Sequence, residues 1–72
     1  MFNIKSVRSR IGITQKQLAN KAGITQAYLS EIETGKTIPS LSVLERLALA
    51  LDMEITQLFN EHSTREVSHY YK

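Results

Sequence analysis

Between Thr25 and Gly35 lies a run of polar residues whose spacing places several of them on one side of a helix. If Leu29, Ile32 and Glu33 form the inward arc, steps of about 100° per residue direct four side chains outward. These are Ala27, Ser30, Glu31 and Thr34, with Gln26 and Tyr28 on the flanks. Amide, hydroxyl and carboxylate groups donate and accept hydrogen bonds, so this face is suited to recognising a ligand.

The sequence offers no arrangement of side chains for catalysis. Its only histidines, His62 and His69, are seven residues apart near the C-terminus, and it has neither cysteine nor a glycine-rich phosphate loop. We therefore expect no enzyme activity, no cofactor, no metal site and no site for a small molecule.

Composition indicates one small globular domain. Of the 72 residues, 42% are hydrophobic and 22% are charged, which is a globular balance. The longest apolar run, Leu47 to Leu51, is far shorter than the ~20 residues of a membrane span, and no signal segment follows Met1. We expect a cytoplasmic protein that is neither inserted into a membrane nor secreted.

Charge is unevenly distributed along the chain. Residues 1–40 carry six cations and two anions, a net +4, whereas residues 41–72 carry three cations and five anions, a net −2. A polyanionic partner would therefore meet the first half of the chain. A solvated surface explains the imbalance equally well.

Glycine, proline and capping residues divide the chain into five predicted helices. The first runs from about Asn3 to Ile11 and stops at Gly12, the second is capped by Thr14 and stops at Gly23, and the third is capped by Thr25 and stops at Gly35. Thr14-Gln15-Lys16-Gln17 has the form of a capping box. The fourth helix is capped by Ser40 and ended by Asp52, and a short fifth is capped by Thr56 and carries Leu58 and Phe59.

The predicted fold is a compact all-α globule built on the fourth helix. Its apolar stripe is predicted to comprise Leu41, Leu44, Leu47, Ala48 and Leu51. We expect residues 1–60 to form the domain and residues 61–72 to form a polar tail, frayed or ordered by a partner.

Gln15 to Thr34 forms a unit with Leu18 at its fourth position, Ala19 at its fifth and Gly23 at its ninth. With its flanks, this unit resembles the helix-turn-helix regulators of the phage repressor and Cro type, the XRE family, from about Ile4 to Phe59. The matching residues are Arg8, Ile13 to Ala19, Ala22 to Thr25, Tyr28 to Ser30, Ile32, Glu33, Gly35, Lys36, Pro39 to Leu41, Leu58 and Phe59. Asp52 departs from the family pattern, which has glycine there.

The resemblance implies a transcriptional regulator that binds double-stranded DNA by sequence, with the third helix in the major groove. The Gln26 amide suits a bidentate contact with adenine, Ala27 a thymine methyl and Glu31 the amino group of cytosine. A solvated carboxylate explains Glu31 equally well. No lysine or arginine lies on the exposed face of the third helix, so we expect half-sites that favour A·T pairs.

Other polar residues are expected to contact phosphates or to mix phosphate and base contacts. They are Gln15, Lys16, Thr25, Tyr28, Ser30, Lys36 and Thr37. Capping alone remains an alternative role for Gln15, and a half-buried ring at the helix boundary remains one for Tyr28. The resemblance also implies a structural ion pair between Arg8 and Glu33, which joins the first helix to the third.

We expect a homodimer that binds a palindromic operator, since one recognition helix reads only a few base pairs. The candidate interface residues are Leu58, Phe59, Val67, Tyr70 and Tyr71. Completion of the monomer core is the alternative role for Leu58 and Phe59. The alternative function is a protein-interaction module or antitoxin-like subunit that docks a partner through the same helix-turn-helix surface.

Overall fold

The computed structural model describes residues 2–59, which form four α-helices followed by a short 3-10 turn. The helices are α1 (Ile4–Ile11), α2 (Gln15–Ala22), α3 (Gln26–Thr34) and α4 (Leu41–Ala50), and the turn spans Ile55–Leu58. This part of the chain contains no strand, only an isolated antiparallel bridge between Phe2 and Phe59. The predicted all-α class is confirmed.

The predicted count of five helices is wrong for residues 2–59. A single 3-10 turn stands where the fifth helix was expected, and it begins after Glu54 instead of at Thr56. The Glu54 amide donates to Gln57 Oε1 at 3.0 Å, and this bond starts the turn one residue before Thr56. Thr56 therefore lies inside the turn and does not cap it.

Capping at the helix N-termini agrees with the sequence prediction. Thr14 Oγ1 accepts from the Gln17 amide at 3.0 Å, while the Thr14 amide donates to Gln17 Oε1 at 2.9 Å, which completes the capping box of α2. Thr25 caps α3 and Ser40 caps α4 in the same way, through their hydroxyl oxygens. Each hydroxyl satisfies an amide that has no partner within its own helix.

The chain leaves α2 and α4 through left-handed residues. Gly23 has φ 73° between α2 and α3, a value that glycine adopts without the steric penalty of a β-carbon. Asp52 has φ 57° after α4, where the related family has glycine. Its short polar side chain tolerates this conformation better than most.

The core lies between the helices and is closed by the 3-10 turn. Ile4, Leu18, Leu29, Leu47 and Leu58 are completely buried in it. α4 packs against α2 and against the turn. No helix within residues 2–59 is long and apolar enough to cross a membrane.

The predicted inward position of Leu41 is wrong. Leu44, Leu47, Ala48 and Leu51 are buried as expected, but Leu41 is 65% exposed. Leu41 opens the first turn of α4, and no element of the described chain covers that end of the helix. Helical spacing assigns a residue to a face, but burial also requires a neighbour against that face.

The two ends of the described chain meet. The Asn3 amide donates to the Leu58 carbonyl at 2.9 Å, and the rings of Phe2 and Phe59 lie 5.3 Å apart at 45°. This contact brings the segment before α1 to the point where the chain continues toward residue 60. The predicted tail at residues 61–72 lies outside the described residues, and the domain boundary at residue 60 stays a prediction.

Candidate nucleic-acid interface

Helices α2 and α3 are joined by a short turn and present one polar face together. Leu18 and Ala19 of α2 and Leu29 and Ile32 of α3 are buried, so both helices are anchored from one side only. The opposite side of α3 exposes the side chains predicted to point outward. Gln26, Ala27, Glu31 and Thr34 are exposed, while Tyr28 and Ser30 are half-buried.

An ion pair connects α1 to α3 beneath this face. Arg8 Nε lies 2.9 Å from Glu33 Oε2, and Arg8 Nη2 donates to Glu33 Oε1 at 3.2 Å, so the contact is bidentate. Arg8 Nη1 also donates to the Ile13 carbonyl at 3.3 Å. The side chains of Arg8 and Glu33 are only 14% and 3% exposed. Such burial excludes Glu33 from contact with a ligand on the outer face.

The Glu33 carboxylate also holds a side chain of α2. Gln15 Nε2 donates to Glu33 Oε1 at 3.1 Å, and Gln26 Nε2 donates to Gln15 Oε1 at 3.2 Å. The hydrogen bonds therefore run from Arg8 through Glu33 and Gln15 to Gln26, from the interior to the exposed start of α3. We call this series the polar relay.

Gln26 keeps free hydrogen-bonding groups at the outer end of the polar relay. One hydrogen of its amide nitrogen is used by Gln15. The second hydrogen and the carbonyl oxygen have no partner among the described residues. One donor and one acceptor side by side match the N7 and N6 positions on the major-groove edge of adenine.

Hydroxyl groups on α3 are already engaged in part. Thr25 Oγ1 accepts from the Tyr28 amide, and Thr34 Oγ1 donates to the Ser30 carbonyl at 2.9 Å. The Thr25 hydroxyl hydrogen is not used by that cap, so it stays available as a donor. Capping and ligand contact are compatible at Thr25, as the sequence reading expected.

Cations lie beside α3 and not on it. Lys16 is exposed in the first turn of α2, and Lys36 is exposed just after α3 ends. Thr37 is half-buried beside Lys36. The exposed face of α3 itself carries the carboxylate of Glu31 and no lysine or arginine. Positive charge therefore lies in the first turn of α2 and in the loop after α3, and the neutral amide of Gln26 lies at the start of α3.

The candidate dimer residues fall in different environments. Leu58 is completely buried and belongs to the core, so it presents no surface to a second copy. Phe59 is 40% exposed and contacts Phe2. Val67, Tyr70 and Tyr71 lie outside the described residues.

Two features of this region were not found from the sequence. The first is the part of the polar relay that joins Gln15 to Glu33 and to Gln26, because these partners are separated by 18 and 11 residues and no local pattern links them. The second is an apolar surface beside the end of α3, where Ile38 is 85% exposed. Ile38 precedes Pro39 in the loop between α3 and α4, where no helical or strand spacing indicates whether a side chain is covered.

The geometry agrees with what is known of similar proteins. A model of the family described as "Helix-turn-helix" matches residues 4–58. The chain therefore belongs to the helix-turn-helix family. Within that family it is of the XRE type, to which phage immunity repressors and SinR-type regulators also belong.

Named relatives are regulators. The chain is 40% identical over 60 residues to the immunity repressor protein of Bacillus phage phi105, covering 83% of this chain and 42% of the relative. It is 39% identical over 64 residues to the regulator SinR of Bacillus licheniformis, covering 88% and 58%. The chain thus spans about half the length of these curated relatives.

Solved structures show the same fold. The restriction-modification controller protein C.AhdI from Aeromonas hydrophila superimposes with a TM-score of 0.76 at 34% identity, covering 78% of this chain and 85% of that one. SinR in complex with DNA superimposes with a TM-score of 0.73 at 38% identity, covering 79% and 92%.

Proposed function

We propose that the protein is a sequence-specific regulator of transcription that binds double-stranded DNA through α2 and α3 and acts as a repressor. The observation that carries the proposal is the position of Gln26. Its amide stands exposed at the start of α3, oriented by Gln15, with a donor and an acceptor free. A similar chain, SinR, has been solved in complex with DNA, which supports DNA as the ligand.

In this proposal α3 enters the major groove and α2 lies across the backbone. Gln26 reads adenine, Ala27 packs against a thymine methyl, and Glu31 accepts from cytosine when that base is present. Gln15 and Thr25 stand at the N-terminal ends of α2 and α3, where exposed amides and the helix dipole favour a phosphate. The remaining contacts are with phosphates, or with phosphates and base edges together, and come from Lys16, Tyr28, Ser30, Lys36 and Thr37.

We further propose that two copies bind one palindromic operator. A single α3 of nine residues covers only a few base pairs, and two copies on half-sites about 10 bp apart supply the missing affinity and specificity. Phe59 is the candidate for the contact between copies among the described residues, and Val67, Tyr70 and Tyr71 are the candidates from the predicted tail. We also propose the cytoplasmic location that the sequence predicts.

The protein-interaction alternative is not favoured. The relatives carry the names of repressors and regulators, and the exposed groups at the start of α3 match a base edge. The same names support action by binding and not by catalysis.

Selection of bound duplexes from a random DNA pool, at one stated salt concentration, tests the function. We expect an enriched two-fold symmetric site with A·T-rich half-sites about one helical turn apart. Tight binding to purely G·C half-sites would contradict the assignment of Gln26. No enrichment by folded protein would contradict DNA binding itself and return the protein-interaction module to first place.

A further inference from the structure

An apolar hollow opens beside the C-terminal end of α3. Its volume is about 400 Å³, and it is lined by Phe2, Ile32, Gly35, Thr37 and Ile38. Ile32 is buried, whereas Ile38 is 85% exposed at the rim. Leu41, three residues further on, is 65% exposed. Two aliphatic side chains three residues apart in the chain are therefore left without cover among residues 2–59.

The chain leaves the described fold next to this hollow. Phe59 pairs with Phe2 through the backbone bridge, and their rings lie 5.3 Å apart, while Phe2 itself lines the hollow. Residues 60–72, thirteen in number, follow Phe59. An extended chain spans at most ~3.3–3.6 Å per residue, so Val67 lies within about 25–30 Å of Phe59 along the chain.

Residues 60–72 contain a few apolar or aromatic side chains that could occupy the hollow. Ten of the thirteen are polar or charged, and the only apolar or aromatic ones are Val67, Tyr70 and Tyr71. Their spacing, i, i+3 and i+4, places all three on one face if the segment is helical. In solution this face would be in contact with water, whereas the hollow offers an apolar surface that can cover it.

We propose that the hollow of each copy receives Val67, Tyr70 and Tyr71 of a second copy, so that two chains exchange their tails. The proposal rests on the homodimer proposed above and names the surface that holds it together. In a two-fold dimer each copy gives and receives the same contact, which doubles the buried apolar area. If a tail filled the hollow of its own chain, the exposed large apolar residues left among residues 2–59 would be Ile11, Leu41, Leu49 and Phe59. They lie on α1, at the two ends of α4 and after the 3-10 turn, so they offer separate small contacts and not one continuous interface.

The position of the hollow suits the proposed operator. Gly35, Thr37 and Ile38 follow α3 directly, so the exchanged tails lie at the end of α3 opposite Gln26. Contacts at that end leave the starts of both α3 helices free for DNA. Assembly of the dimer and recognition of the bases therefore use different residues.

The test uses two variants of the full chain, and circular dichroism first checks that each variant folds as the wild type does. Ile38→Glu places a charge at the rim of the hollow, and the pair Tyr70→Ser with Tyr71→Ser removes both rings from the tail. Sedimentation equilibrium should show the dissociation constant of the dimer raised at least about tenfold in each variant. Leu49→Glu, on an 82% exposed residue of α4 outside the hollow, is the matched control and should dimerise as the wild type does.

Mixing the two variants distinguishes tails exchanged between copies from a tail that fills the hollow of its own chain. A mixed dimer has one intact hollow facing one intact tail, so the equimolar mixture should dimerise more tightly than either variant alone. No gain on mixing, or wild-type dimerisation by either variant, overturns the exchange. A wild type that stays monomeric at every concentration overturns the proposed homodimer instead. DNA binding by the wild type is tested by site selection, independently of the homodimer and of the tail exchange.

Discussion

At the scale of single residues, Glu33 connects the interior to the recognition surface. Its Oε1 accepts from both Arg8 and Gln15, and Gln15 in turn accepts from Gln26. The sequence predicted only a structural role for Glu33, but through Gln15 it also orients Gln26, which we propose contacts a base. Orientation before binding matters because an ordered amide loses less entropy when it meets the base.

Gln26→Ala should remove discrimination at one base pair without unfolding the protein. We expect the preference for adenine at the contacted position to fall by about 1–3 kcal/mol, because the bidentate contact is lost. Fluorescence anisotropy with the selected operator and with single-base variants measures this difference. Asn20→Ala, on an exposed position of α2, is the control and should leave the preference intact. An unchanged preference in Gln26→Ala would contradict the assignment.

Glu33→Ala should destabilise the fold strongly. The substitution leaves the mostly buried Arg8 guanidinium without its carboxylate, and a stranded charge of this kind costs about 3–5 kcal/mol. Urea denaturation followed by circular dichroism measures the free energy of unfolding. Glu31→Ala removes an exposed carboxylate from the same helix and should change that free energy by less than about 0.5 kcal/mol. Equal effects of the two substitutions would show that the ion pair is not a structural one.

At the scale of elements, the unit α2, turn and α3 is set by local interactions. The capping box at Thr14 starts α2, the left-handed Gly23 ends it, and Thr25 starts α3 two residues later. Ala19, 2% exposed, leaves room for the two helices to approach each other. The relative placement of Gln15 and Gln26 follows from this short connection.

Thr14→Ala should weaken the domain through α2. Loss of the hydroxyl leaves the Gln17 amide without its partner, and we expect the free energy of unfolding to fall by about 1 kcal/mol. Thr56→Ala is the matched control, because Thr56 lies inside the 3-10 turn and its hydroxyl makes no hydrogen bond within residues 2–59. Thermal unfolding of both variants compares them directly. A larger loss in Thr56→Ala would support the fifth helix that the structure does not contain.

At the scale of the whole molecule, the first and last described elements are held together. The bond from the Asn3 amide to the Leu58 carbonyl and the contact of Phe2 with Phe59 place Phe59, the last described residue, beside a residue that lines the apolar hollow. The proposed base-reading residues lie on α3, whereas the hollow lies past its C-terminal end, and of the proposed DNA contacts only Thr37 also lines the hollow. The residues that read bases are therefore separate from those that join the copies. Such a division lets dimer strength change without a change in base preference.

Deletion of Ser63 to Lys72 should weaken the dimer and, with it, binding to the full operator. Each half-site contact is retained, but the two copies are no longer joined, so affinity for the palindrome approaches that for a single half-site. Sedimentation and anisotropy on the full and half operators measure the two effects. A chain with Ser63→Ala and Thr64→Ala keeps the apolar tail residues and serves as the control. Unchanged sedimentation after the deletion would refute the role of the tail.

Much of the fold was predictable because its signals are local. Hydroxyl caps act within three residues, and a left-handed residue ends a helix where it stands, so the bounds of α1 to α4 were expected to within about two residues. The exposed side of α3 was predictable for the same reason, since Leu29 and Ile32 set its inward face. Family resemblance added the Arg8 and Glu33 pair, which no local pattern indicates.

By itself, the sequence determined the helices, the turn between α2 and α3 and the side of α3 that carries free polar groups, because neighbours along the chain decide these features. Only the tertiary structure decided that Leu41 lies uncovered, that the fifth element is a 3-10 turn, and that Gln15 links Glu33 to Gln26. Each of these depends on which distant segments meet. Periodicity gives the direction of a side chain, whereas its burial and its hydrogen-bond partners require the positions of residues far away in the chain.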